Sequence, residues 1–241
     1  VRAAIEKAAP APFAVLIEGE SGSGKELVAR LLHKHGPRRD RPFSTLNCAA
    51  LPEDLVESEL FGHARGAFTG AVAERRGVFE EAHSGTLFLD EVGELSARAQ
   101  AKLLRAIQEG EIRRVGENTC RRVDVRLITA TNRDLRAEVA AGRFRLDLLY
   151  RLDVIRVVLP PLRDRREDIP SLVEFLIRKI NKSLKKNIRQ VSGEAMKCLL
   201  AYSWPGNVRQ LENALMKAAV MERGDTLTAD RLAPEIRERF S

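Results

Sequence analysis

The sequence predicts an α/β protein, a five-stranded parallel sheet flanked by helices and followed by a small helical domain. Three observations carry this. Short apolar runs alternate with helical patterns over the first two thirds of the chain, as they do in a doubly wound parallel sheet. The loop "GESGSGKE", Gly19 to Glu26, joins the first apolar run to the first helical pattern. After "LPPLRDRREDIP" only helical periodicity remains.

The strands read in order as Ala14–Glu18, Phe43–Asn47, Thr86–Asp90, Val125–Ala130 and Asp153–Leu159. The first, third and fourth are almost continuously apolar, which suits strands covered on both faces. Helical patterns lie between them, over Lys25–His35, Leu55–Leu60, Ala97–Glu109 and Asp134–Ala141. Pro160, Pro161 and Pro170 punctuate a charged connector. Helices are then expected over Ile169–Ile180, Gly193–Ala201 and Val208–Glu222. The expected division is an α/β subdomain over residues 1–162 and a helical lid over 163–241.

Composition narrows the class. With 44% hydrophobic and 31% charged residues among 241, the chain has the makings of a folded domain. No apolar run approaches the roughly 20 residues of a membrane span, and no secretory segment opens the chain. A cytoplasmic location without membrane contact is expected. The chain starts at Val1 rather than Met, as a processed form or an excised domain would. Cys48, Cys120 and Cys198 lie far apart without metal-ligand spacing and read as small hydrophobes of a reducing compartment. The net charge of +7 suits an acidic partner, although no nucleic-acid recognition motif accompanies it.

The loop Gly19, Glu20, Ser21, Gly22, Ser23, Gly24, Lys25, Glu26 matches Gly-x-x-x-x-Gly-Lys in the strand–loop–helix setting that a phosphate-binding loop requires. Its glycines let successive N–H groups curl toward anionic oxygens, and the helix N-terminus adds its positive end. Lys25 supplies a point charge to the β- and γ-phosphates. Glu26 stands where Ser or Thr usually meets Mg²⁺, and a carboxylate there could hold the metal through water. The third strand ends "GTLFLDE", which delivers Asp90 to orient hydrated Mg²⁺ and Glu91 to polarise an attacking water. Taken alone, the same pair also reads as an acidic helix cap.

Together with "LNCAAL", "ELFGHARGAFTGA", "ATNRDL", "FRLDLLYRL" and "WPGNVRQLEN", these motifs resemble the central AAA+ domain of NtrC-type activators of bacterial sigma-54 RNA polymerase, over nearly the whole chain. "GAFTGA" is the most specific of them, and the family carries Glu at the position of Glu26. The resemblance implies an AAA+ P-loop NTPase with a helical lid, forming a ring of six or seven subunits with Mg²⁺-ATP between neighbours. It implies that Thr131 and Asn132 read the γ-phosphate, the alternative for Asn132 on residues alone being a helix cap. Asn47 would hold the Glu91 carboxylate away from water, or be a strand-end turn residue. Arg145 and Arg151 match the family's arginine fingers, which neutralise charge in the neighbouring site. On one ideal helix the two would point about 120° apart, so one is expected on phosphate and the other at the interface. Arg209 looks like the second sensor, bridging lid and nucleotide.

Gly66, Ala67, Phe68, Thr69, Gly70 and Ala71 carry no charge in a chain crowded with Arg and Glu. Taken alone, Phe68 reads as core. The resemblance makes this loop the element that grips sigma-54, with a second loop, Arg113–Arg122, supporting it. DNA binding would fall to a C-terminal domain absent from this chain. The competing readings are a small-molecule kinase, which would need an acceptor substrate, and a nucleotide-gated DNA-binding module, which would bind DNA with steep salt dependence.

Overall fold

A computed structural model describes residues 1–237, with the side chain of Asp54 left aside. Five parallel strands form the sheet: β1 Val15–Glu18, β2 Phe43–Asn47, β3 Thr86–Asp90, β4 Arg126–Thr131 and β5 Ile155–Val158. Their spatial order is β2-β3-β4-β1-β5. The register sets Asn47 beside Asp90 and Glu18 beside Thr131, so the polar strand ends share one edge. Ligands of open parallel sheets bind outside that carboxyl edge.

The chain divides into two compact units. The first comprises Val1–Gly19 and Lys25–Leu159, and the second comprises Glu20–Gly24 with the chain from Pro160 onward. In the first, β1, β3 and β4 are buried almost throughout, as their apolar sequences require. Helices α1 Arg2–Ala8, α2 Lys25–Lys34, α3 Glu53–Phe61, α4 Ala97–Glu109, α5 Leu135–Ala140 and α6 Leu146–Leu152 accompany the sheet. Helix α4 shows why it starts and stops where it does. The Ser96 hydroxyl accepts from the Ala99 N–H at 3.3 Å, and Gly110 ends it at φ +65°.

Arg126 is the most deeply buried charged residue among the described residues of this unit. Arg126 opens β4 only 2% exposed, and its guanidinium donates to the carbonyls of Ala8 at 2.8 Å and Ala9 at 2.7 Å. Orphan carbonyls at the end of α1 thus take the two terminal nitrogens of a buried cation without a carboxylate, while its Nε has no partner among the described residues. The expected strand Val125–Ala130 begins and ends one residue later than read from sequence, because pairing starts where Arg126 meets Thr86 and continues until Thr131 meets Glu18.

The second unit contains α7 Ile169–Leu184, α8 Gly193–Ala201 and α9 Asn207–Met221, around a core that includes Trp204, Leu211 and Leu215. Helix α7 runs four residues beyond its expected end at Ile180, reaching a left-handed Lys185. Trp204 is fully buried and donates its indole N–H to the Leu199 carbonyl at 2.8 Å, fixing the turn before α9. Among the described residues no helix is long and apolar enough to cross a membrane.

Candidate nucleotide site and loop

At the carboxyl edge of the sheet, Lys25 begins α2 and is 6% exposed. Its ammonium donates to the Gly19 carbonyl at 3.0 Å and to Glu91 at 3.1 Å. The second Glu91 oxygen accepts the backbone N–H of Asn132 at 3.0 Å. Glu91 adopts φ +54°, a left-handed conformation unusual for a residue with a side chain. That turn carries Glu91 away from the ladder toward the lysine, so a cation and a dipole hold the carboxylate from two sides.

Asp90 lies beside it. One of its oxygens accepts the Glu91 N–H at 3.1 Å, and the other accepts the Asn47 side-chain amide at 3.3 Å. Burial, and then the Glu91 charge, push the Asp90 carboxyl above its ordinary value. The Asn47 amide, expected at Glu91, meets Asp90 in this structure. The cause is register, since Asn47 pairs with Asp90 across the ladder and Glu91 lies one residue beyond. Thr131 is fully buried, and its hydroxyl accepts the Arg133 N–H at 3.0 Å. In this arrangement Asn132 acts through its backbone. Glu26 is exposed in the first turn of α2 and pairs with Arg30 at 2.7 Å.

The loop Glu20–Gly24 is held within the second unit. The Glu20 carboxylate accepts two N–H groups of Arg163, at 2.9 and 2.6 Å, and the Asn207 amide at 3.1 Å. Those hydrogen bonds, Arg163's first, hold its carboxyl down to about 2. Asn207 also donates to the Ser21 carbonyl at 3.1 Å, Arg165 to the Ser23 carbonyl at 2.8 Å, and the Arg209 N–H to the Gly22 carbonyl at 3.3 Å. The Arg209 guanidinium comes within 3.5 Å of the Ser21 hydroxyl. Gly22 has φ +75°, and a Cβ there would stand 2.4 Å from the Gly206 carbonyl oxygen. Sequence reading gave no role to Arg163, Arg165 or Asn207. Their one signal was a cluster of charge in the proline-flanked "LPPLRDRRED" and an Asn after Gly206.

Arg145 and Arg151 lie elsewhere in the first unit. Arg145 precedes α6 in an extended conformation, and Arg151 lies within the helix. The expected angle of about 120° therefore does not apply, because it assumes one continuous helix. The Gln100 side-chain oxygen accepts the Arg145 N–H at 2.9 Å, and the Arg145 guanidinium pairs with Asp147 at 2.7 Å. Arg151 makes no ion pair among the described residues. Neither arginine touches Lys25, Asp90 or Glu91 among the described residues.

The stretch from Gly66 to Ala71 folds back on itself. The Gly66 N–H donates to the Ala71 carbonyl at 2.8 Å, and the Ala71 N–H to the Phe68 carbonyl at 3.0 Å. Phe68 is 39% exposed and meets the His63 ring edge-on at 5.1 Å. The second loop lies against it: the Ala64 N–H donates to the Val115 carbonyl at 2.9 Å, and Gly116 faces Ala67.

Residues 1–158 match the model of the sigma-54 interaction domain, and residues 163–241 that of the AAA+ ATPase lid domain. The chain belongs to the sigma-54 interaction domain family. It is 54% identical over 228 residues to the Nif-specific regulatory protein of Herbaspirillum seropedicae, spanning 95% of this chain and 42% of that one. It is also 54% identical to the transcriptional regulatory protein ZraR of Salmonella typhimurium, over 95% of this chain and 52% of the relative. Crystal structures of NtrX from Brucella abortus in complex with ADP and with ATP each superpose with a TM-score of 0.91 at 41% identity. They cover 98% of this chain and 53% and 52% of theirs. The chain thus spans about half the length of the relatives it matches. The sheet of five parallel strands lies within the residues that match the sigma-54 interaction domain, and the helices after residue 163 within those that match the AAA+ ATPase lid.

Proposed function

We propose that this chain hydrolyses Mg²⁺-ATP as part of a ring and uses the energy to remodel sigma-54 RNA polymerase at closed promoter complexes. The observation that carries the reading is the Lys25–Glu91 ion pair, closed by the Asn132 N–H. A phosphate-loop lysine and a general-base candidate neutralise each other at the sheet's carboxyl edge. Polyphosphate arriving at Lys25 competes for its charge and loosens Glu91. The freed carboxylate then takes a proton from water as its oxygen bonds to the γ-phosphorus, and the bond to the β-phosphate oxygen breaks to release ADP.

The donor set fits a magnesium ion. No group of three or more His, Cys, Asp or Glu side chains is arranged to hold a metal among the described residues. Mg²⁺ characteristically uses one or two carboxylates with phosphate and water. Asp90 would hold it, with Glu26 through water after leaving Arg30, and the ion would screen phosphate charge. A further cation would relieve the burial and Glu91 repulsion that already raise the Asp90 carboxyl.

Arg145 or Arg151 of one subunit would reach the phosphate of its neighbour, and Arg209 would report the nucleotide to the lid. Residues Gly66 to Ala71, with Phe68 and Thr69 at the tip, would grip sigma-54. An uncharged apolar tip suits a transient protein contact because little charge is desolvated. The test is gel filtration of this chain with purified sigma-54 and ADP–aluminium fluoride. A complex that requires the analogue, and is lost in an ATP-hydrolysing Phe68→Ala variant, is expected. An ATP-hydrolysing chain that captured no sigma-54, or captured it equally well without Phe68, would remove the remodelling role.

A further inference from the structure

The second unit contains a device whose purpose lies in the direction its hydrogen bonds run. Every bond it makes to residues 20–23 ends on an oxygen: the Glu20 carboxylate, the Ser21 hydroxyl and the Ser21, Gly22 and Ser23 carbonyls. In a planar trans peptide the carbonyl of one residue and the N–H of the next point in opposite directions. Fixing the carbonyls of Ser21, Gly22 and Ser23 outward therefore turns the N–H groups of Gly22, Ser23 and Gly24 the other way. The Ser23 N–H closes a turn onto the Glu20 carbonyl at 3.2 Å. Those of Gly22 and Gly24 donate to nothing among the described residues. The Ser23 hydroxyl is buried and has no partner among the described residues.

Glu20 sharpens the point. A carboxylate in a loop that faces phosphate repels its ligand unless its charge is taken up. Arg163 takes it up through two parallel N–H···O bonds, the geometry in which a guanidinium holds a carboxylate best. Asn207 is committed on all sides. It is fully buried, it adopts φ +52°, its side-chain oxygen accepts the Leu162 N–H at 2.7 Å, and its amide serves Glu20 and Ser21. The left-handed backbone at a non-glycine residue marks a conformation that its surroundings impose.

We propose that Arg163, Arg165 and Asn207 are positioning residues for nucleotide binding: by occupying the loop's oxygens they leave its N–H groups as the surface offered to the phosphates. This rests on reading residues 19–26 as the ATP phosphate site. The residues act through the loop and need not touch ATP. Their loss should therefore weaken binding without stopping chemistry at Asp90 and Glu91.

The experiment is a fluorescence titration with ribose-labelled ATP of the unaltered chain, Arg163→Ala, Arg163→Lys and Arg165→Ala. Each is also melted without nucleotide and assayed for hydrolysis. Loss of a charged donor to the Ser23 carbonyl in Arg165→Ala should raise Kd about tenfold. Arg163→Ala removes a half-exposed pair and should raise it about fivefold, with Arg163→Lys between it and the unaltered chain. KM should follow Kd while kcat falls less than twofold, and the melting temperatures should stay together. Unchanged Kd values in both alanine variants would overturn the clamp, as would losses that only track melting temperature. If the unaltered chain itself bound no ATP, the site reading would fall and take the clamp with it. Binding by the unaltered chain and the alanine variants alike would sink the clamp alone.

Discussion

Two glycine-rich loops of this chain use glycine for different reasons. In residues 19–24 the neighbours crowd Gly22, where a Cβ would meet the Gly206 carbonyl oxygen at 2.4 Å and the Arg209 Cβ at 3.0 Å, whereas Gly24, at φ +104°, has open space around it. Between Gly66 and Ala71 both glycines have positive φ, +78° and +103°, and a Cβ on either would meet nothing within 4 Å. The first loop is packed and tied by side chains from outside itself. The second is tied mainly by its own backbone and by a second loop, and it leaves Phe68 in partial contact with water. A site for a small anion benefits from fixed N–H groups, whereas a surface that must re-form against a protein benefits from open space. Glycine content alone does not distinguish them; the crowding at Gly22 and the side chains that tie the first loop do.

The strongest way to break this comparison is Gly22→Ala. Its φ of +75° costs an L-residue about 1–3 kcal/mol where the surroundings over-determine it, and the clash with Gly206 comes on top. ATP affinity is expected to fall by about 100-fold or more, the equivalent of roughly 2.7 kcal/mol. Isothermal titration of the folded variant checks this. Affinity within threefold of the unaltered chain would mean that the loop adapts and that its packing is incidental.

Gly70→Ala should do much less to the fold. With open space around it, the substitution meets only the left-handed backbone cost of about 1–2 kcal/mol. Stability should fall by that amount in urea, and steady-state ATP hydrolysis should stay within about twofold, a difference below roughly 0.5 kcal/mol. Analogue-dependent capture of sigma-54 should weaken, since the turn could no longer open freely. Equal losses of hydrolysis and capture would show that the two loops are not independent.

What the sequence revealed and what it concealed follow the same division. Strand–loop–helix at Gly19–Glu26 and the apolar β3 ending in Asp90 were legible because short-range pattern determines them. The Lys25–Glu91 pair was not, because 66 residues separate its members and a left-handed φ at Glu91 brings them together. Arg163 and Asn207 look like ordinary polar residues of a connector and a turn until the loop they hold is seen. Arg126 was read as part of a strand without remark, yet a buried guanidinium there depends on helix carbonyls that no local pattern announces. That the Asn47 amide lies on Asp90 is equally hidden, because a resemblance gives roles but not ladder register.

The smallest expected effect separates the two loops by charge. Residues 66–71 contain no titratable side chain, whereas the first loop contains Glu20, held down to about 2 chiefly by Arg163 and then by Asn207. A carboxyl whose value is lower in the folded state stabilises that state fully above its ordinary value of 4.5, and the contribution disappears as pH falls toward about 2. Near neutrality the clamp is therefore permanently closed and is not a pH switch. The difference in melting temperature between the unaltered chain and Glu20→Gln isolates this group from every other titration. It should be small and constant from neutral pH down to about 5 and should shrink as pH falls below the ordinary value. A difference that vanished already near pH 6 would mean that Arg163 does not hold Glu20 in solution. The oxygen-bound loop would then be no better fixed than the open one.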